Sequence, residues 1–206
     1  MKIAQFPTLA CLTVSLLLWV STASHAASGV EMNLTDLVSN ADRIVVGKCV
    51  EVTSEWVGNK IYTKNTIEVT DNIKGDKAAS YVVTTLGGTA FHAKLNTEVT
   101  MDVSGGLYFN PSEDVVLFTK QNVLGQHQVV GMSQGKFNIV VDKKNGERVI
   151  PLAEKKIQSE KLVKDILAPQ ARTKFPVGEQ TVISSEQIKL DEFINKIKSK
   201  MDHKKK

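Results

Sequence analysis

Apolar residues along this chain change period twice. Leu34, Leu37, Val38 and Ala41 recur at the spacing of one helical face, which predicts a short helix that Asn33 or Thr35 can cap. From Ile44 the period becomes two. Ile44, Val46, Val50, Val52 and Trp56 fall on one strand face, and Val45, Gly47, Cys49, Glu51 and Thr53 on the other. Gly58-Asn59 reads as a turn. Ile61, Thr63, Ile67, Val69 and Ile73 then alternate with polar-capable neighbours, including Tyr62, in a long half-buried strand stopped by Lys74-Gly75-Asp76. Shorter strands are predicted over 80–85, 99–103, 114–119, 128–132 and 136–141, and Asn145-Gly146 joins the last to 148–150 as a hairpin. Past Pro151 the helical period returns over 153–167, loop chemistry occupies 168–184, and Phe193, Ile194, Ile197 and Met201 mark a terminal amphipathic helix. A helix, a run of strands with short turns, then helices predicts a mainly β, α+β chain. The expected core is a small OB-like or sandwich-like β-barrel with a C-terminal amphipathic helix.

The first 26 residues break this pattern. Lys2 precedes an apolar run from Leu9 to Val20, and Ser24-His25-Ala26 supplies small residues where a signal peptidase reads. The expectation is an export signal cut between Ala26 and Ala27. A permanent anchor is the competing reading, but the run is shorter than the roughly 18 to 20 residues that span a bilayer. Lipid attachment at Cys11 is a third reading, and Cys11 lies inside the apolar run rather than after it. The domain layout is then a signal peptide at 1–26, a barrel-like domain with a short N-terminal helix at 27–151, and a helical extension with a basic tail at 152–206.

Export changes what cysteine and charge mean. Cleavage leaves Cys49 alone, so an intramolecular disulfide is excluded and core packing must hold the domain. Cys49 itself sits in an apolar run and reads as a small buried hydrophobe. The basic excess lies at the C-terminus, where residues 196–206 carry six Lys and one Asp. The rest of the exported chain is slightly acidic, which argues against nucleic acid as a partner. Lys204, Lys205 and Lys206 read as a solvated helix end, with weak attraction to an anionic envelope surface as the functional alternative.

Metal- and nucleotide-binding signatures are absent from the sequence. His92, His127 and His203 have no helical partner at i+4, and neither HExxH nor CxxC occurs. No phosphate loop or dinucleotide fingerprint is present. Asp102, Glu113 and Asp114 could form a carboxylate cluster, but a solvated strand end explains them more simply. No catalytic, cofactor-binding or metal-ligating residue is assigned, and no cofactor is expected.

Several stretches together carry a resemblance. Ala41-Asp42-Arg43-Ile44-Val45-Val46-Gly47 opens the first strand, and Ile61-Tyr62-Thr63 leads into one that ends Lys74-Gly75. Glu113-Asp114-Val115-Val116 and Gln134-Gly135-Lys136-Phe137 follow. In this order they resemble a group of uncharacterised secreted bacterial β-domain proteins, over Leu37 to Val141. Ser112 stands where that pattern carries Gly. The same order is more weakly similar to the netrin-like module of tissue inhibitors of metalloproteases. That resemblance implies a five-stranded OB-type barrel with packed helices. The inhibitors' N-terminal Cys has no counterpart at Ala27-Ser28-Gly29, so their inhibitory mechanism is not implied.

The functional expectation is an exported, non-catalytic module, periplasmic or secreted, that binds another extracytoplasmic protein. Candidate contact residues are Trp56, Tyr62, Gln134 and Lys136. The alternatives are a protease-associated inhibitor or chaperone, by analogy of fold, and an enzyme of unrecognised type.

Overall fold

The computed structural model describes residues 30–152, 155, 160–167 and 187–202. The predicted signal segment, its predicted cleavage position and Lys204 to Lys206 lie outside the described residues, as does all of the predicted 168–184 loop.

The first predicted helix forms as α1 (Leu34–Asn40). Asn33 is its cap: the Asn33 side chain accepts from the Asp36 amide, and the Asp36 carboxylate accepts from the Asn33 amide. Two long strands follow, β1 (Arg43–Val57) and β2 (Lys60–Lys74), paired antiparallel through the Gly58-Asn59 turn. The chain continues through β3 (Ser80–Leu86), β4 (Gly88–His92), β5 (Thr97–Met101), β6 (Asp114–Gln121), β7 (His127–Val129), β8 (Lys136–Val141) and β9 (Arg148–Pro151). Helix α2 (Glu160–Leu167), strand β10 (Gln187–Lys189) and helix α3 (Leu190–Asp202) complete the described elements.

A single alternating face does not run the length of β1. Cys49 pairs with Ile67 and Glu51 with Thr66, so Val50 is an extra residue with no partner across the ladder. This bulge inverts the alternation: Val50 is 46% exposed, and Val52, Ser54 and Trp56 turn to the side that Cys49 occupies. Two further register shifts, at Ile44/Val45 and Val46/Gly47, bend the β1–β2 ribbon near its other end. Gly47 sits where the two strands leave no room for a side chain. A Cβ there would lie 2.5 Å from the Glu68 carbonyl oxygen.

The bends let β1 pair with β2 on one edge and β6 on the other. Antiparallel β6–β7 and a parallel β3–β7 contact then complete a ring, β1-β2-β3-β7-β6. The β3–β7 seam consists of one registered pair, Val83 with His127, so the ring is a partly open barrel and not a closed one. Strands β8, β9 and β10 extend the sheet beyond β6, and β4–β5 form a separate hairpin. The mainly β architecture with flanking helices and a C-terminal helix agrees with the sequence reading. Strands β4 and β10 were not expected: β4 begins at Gly88, the second glycine of a pair, and β10 is only three residues long.

Strand β6 separates two cores. Val115 and Leu117 face the barrel interior with Val45, Cys49, Ile67, Val83 and Phe109. Val116 and Phe118 face the helices with Leu37, Phe137, Ile166 and Phe193. A strand buried on both faces must be continuously apolar, which accounts for the run Val115-Val116-Leu117-Phe118. The Phe137 ring lies 4.8 Å from Phe193 and 5.6 Å from Phe118, tying α3 to the sheet. The outer core draws on both sides of Pro151, from Leu34 through to Ile197.

Two of the sequence motifs meet at α1. The Lys74 ammonium donates to the Val38 carbonyl at 2.7 Å and the Ala41 carbonyl at 2.5 Å, which places a cation at the helix C-terminus. Gly75 follows with φ 87, and a Cβ there would lie 2.7 Å from the Asp42 carbonyl oxygen. Ser112 adopts φ 71, the left-handed conformation that glycine takes without strain, and its amide donates to the Cys49 carbonyl.

Candidate binding site around residues 103–109

Three clefts surround one irregular segment, Val103 to Phe109, between β5 and β6. Gly105 takes φ 68, and the Gly106 amide donates to the Val103 carbonyl at 2.7 Å, making a tight turn. Side chains then alternate. Leu107 and Phe109 pack on the barrel core, while Tyr108 points outward and is 48% exposed. The Tyr108 hydroxyl donates to Asp102 at 3.2 Å and accepts from the Val103 amide at 3.4 Å, closing the turn on itself.

Lys136 anchors this segment from below. Its ammonium pairs with Glu113 at 2.6 Å, donates to the Tyr108 carbonyl at 2.8 Å, and lies 4.6 Å from the centre of the Phe109 ring. Both partners of the pair are largely buried, with side-chain exposures of 8% and 14%. Cys49 lies close by: burial and then the Glu113 charge push its thiol pKa up, which keeps it protonated.

The first cleft, about 400 Å³, opens at the barrel seam. Strand β3 is paired with β2 along its whole length, but on its other edge it meets β7 only at Val83. Beyond that point Thr84, Thr85 and Leu86 diverge from Gln128 and Val129, and the cleft lies between them. Leu107, Val103 and Met132 give it an apolar wall, and Lys120 stands at its rim. The β6–β7 turn displays Val123, fully exposed, and Leu124, 77% exposed. Asn122 braces this turn: its side-chain oxygen accepts from the Leu124 and Gln126 amides and its side-chain nitrogen donates to the Gln126 side chain.

A second cleft, about 290 Å³, sits at the hairpin end of β1 and β2 under β4–β5, and is walled mainly by hydroxyl groups. A third, about 250 Å³, lies beside Lys136, Asn138 and Lys155. Lys155 donates to the Ser133 and Gln134 carbonyls and faces the Phe137 ring.

At the opposite end of the barrel a polar group closes the interior. Arg43 lies over the Tyr81 ring at 5.2 Å, and His127 meets that ring edge-on at 5.1 Å. Burial pushes the Tyr81 hydroxyl up to about 12, against the smaller lowering effects of Thr119 and Arg43. Burial, with Arg43, lowers the pKa of His127. Both shifts favour the uncharged forms.

The four contact residues read from the sequence do not assemble into one surface patch. Gln134 and Lys136 are buried, each 7% exposed. Gln134 is a tether, accepting from the Met32 amide at 2.8 Å and donating to the Val30 carbonyl at 2.9 Å. Trp56 is half-buried against His92, with ring centres 5.0 Å apart. Tyr62 is half-buried on β2, opposite Glu55 and Leu86. Tyr108, Lys120, Met132, Val123 and Leu124 were passed over. One signal was available: Leu107-Tyr108-Phe109 is an apolar triplet bracketed by Gly105-Gly106 and Asn110-Pro111. Another was the apolar pair inside the Asn122 to Gly125 turn. Among the described residues no three His, Cys, Asp or Glu side chains are grouped to hold a metal ion. No protein-family model matches this chain, and no curated protein matches it.

Proposed function

We propose that this chain is an exported, non-catalytic binding module that grips an extended segment of another extracytoplasmic protein along the open edge of β3. The observation that carries this reading is the seam. A strand edge paired at one residue and facing an apolar cleft can accept an added strand, with backbone hydrogen bonds supplying affinity and side-chain pockets supplying selection. The rim charge of Lys120 favours a segment bearing an acidic group. The braced Val123-Leu124 turn offers a second, apolar contact whose ordering cost on binding is low. The ring of five strands is also compatible with the netrin-like resemblance, so secreted metalloproteases are the first partner class to assay.

A photo-crosslinking residue placed at Leu86 or Met132 of the exported chain tests the proposal in its native compartment. Discrete adducts with a partner are expected from both positions and not from Lys144 on the β8–β9 turn. Adducts from none of the three, or equally from all, would overturn the seam as the contact. N-terminal sequencing of the exported form should begin at Ala27.

A further inference from the structure

The hydroxyl-walled cleft carries an inference that is independent of the seam. Six of its nine lining residues bear hydroxyl groups and none is charged. The hydrogen bonds fix which way the Ser54, Thr63 and Tyr108 protons point, while in the Thr89–Thr100 pair either hydroxyl can donate. Thr63 donates its hydroxyl proton to the Gly87 carbonyl at 2.6 Å. A hydroxyl has one proton, so the 2.8 Å contact between Ser54 and Thr63 requires Ser54 to be the donor. The Ser54 oxygen is left as an acceptor towards the cleft. The Tyr108 proton is likewise committed to Asp102. Next to this wall Asn65, 0% exposed, spends its side-chain nitrogen on the Thr63 and Val83 carbonyls and the Thr85 hydroxyl. Its Oδ1 has no hydrogen-bond partner among the described residues.

On the side of Ser54 and Tyr108 the wall therefore offers oxygen acceptors and asks for donors. Without a charged lining residue it gives an ionised ligand no counter-charge. Phe109, Val52 and the outward Tyr108 ring add an apolar surface. Gly88 keeps the space open. A Cβ at that position would collide with the Thr63 hydroxyl and lie 2.6 Å from the Ser54 hydroxyl. Hydroxyl donors, no net charge and an apolar face are together the chemistry of a neutral sugar. We infer that this cleft is a binding site for a neutral saccharide unit.

Amide-resolved NMR titration of the exported chain tests this, with N-acetylglucosamine and maltose as probes. Glucuronate serves as the charged control and an acetylated tripeptide amide as the peptide control. The expected result is saturable shifts at Ser54, Thr63, Thr89 and Thr100 at millimolar concentrations of at least one neutral sugar. Ser54→Ala, on a half-buried residue, should weaken binding by about tenfold, the equivalent of one hydrogen bond. Gly88→Ala should abolish binding. Should Gly88→Ala fail to fold, Ser54→Ala alone decides the matter. Absence of saturable shifts with either neutral sugar would overturn the inference. So would unchanged affinity in Ser54→Ala, or binding of the tripeptide or glucuronate in preference to sugar. Crosslinking at the seam reads a different cleft, so either proposal can fail alone.

Discussion

Replacing Lys136 with Met keeps an unbranched stem of similar length and removes the ammonium, along with its contact to the Phe109 ring. That strands the Glu113 carboxylate, 14% exposed, and leaves the Tyr108 carbonyl without its donor. Breaking a buried pair by removing one partner costs about 3–5 kcal/mol, because the remaining charge is uncompensated. Lys136→Met should therefore lose that much, a large share of the roughly 5–15 kcal/mol that holds a domain folded. Adding Glu113→Gln removes the stranded charge. The double variant should then recover to within about 1–2 kcal/mol of the parent, the cost of missing neutral hydrogen bonds. Urea unfolding of residues 27–206 measures this, with Trp56 as the fluorescent probe and the denaturant slope checked for constancy. Amide exchange should accelerate at Leu107 to Phe109 in the single variant. A loss below about 0.5 kcal/mol in Lys136→Met, or strict additivity in the double, would refute the buried-anchor argument.

Tyr81 predicts an alkaline transition. Its hydroxyl is raised from 10.0 to about 12 on folding, so the neutral form belongs to the folded state. Its contribution is fully present below pH 10 and is lost as pH rises through 12, with Tyr81→Phe flattening that loss in unfolding measured against pH. His127 has a lowered pKa, so its contribution should fade as pH falls below 6.5, read from its imidazole resonances and from stability in Tyr81→Phe. Cys49, 0% exposed with a raised pKa, should react with thiol reagents only at the rate of unfolding; fast labelling of folded protein would contradict its burial. Gly47→Ala should cost about 1–3 kcal/mol, since its Cβ would press on the Glu68 backbone across the ladder; an unchanged midpoint in urea would show that the ribbon can part there.

Much of the fold was legible because burial imposes local periods. The Asn33 cap, the two long strands, the Asn145-Gly146 hairpin and the terminal helix each leave their pattern within a few residues. The bulge at Val50 was not legible. Alternation predicts Val50 inward with Val46, and only the pairing of Glu51 with Thr66 shows the inversion. For the same reason Trp56 and Ser54 share the Cys49 side and not the side of Ile44. Gln134 and Lys136 look like surface residues because polarity is the only property visible in one dimension. Each is buried because a specific partner, the Val30–Met32 backbone for one and Glu113 for the other, satisfies it.

The sequence by itself determined what period and chemistry can state: a β-rich chain with helical ends, a leader-like start, a single cysteine beyond it, and no familiar metal- or nucleotide-binding motif. It also contained the motifs Ala41-Asp42, Lys74-Gly75 and Gln134-Gly135-Lys136, without their purpose. Only the tertiary structure decided that these are clamps, that the strands bend into a ring with one thin seam, and that three clefts share the Val103–Phe109 segment. The physical reason is distance. Helical and strand periods arise between neighbours a few residues apart. The Lys136–Glu113 pair, the Gly75–Asp42 contact and the Val83–His127 seam join residues whose proximity exists only once the chain has closed on itself.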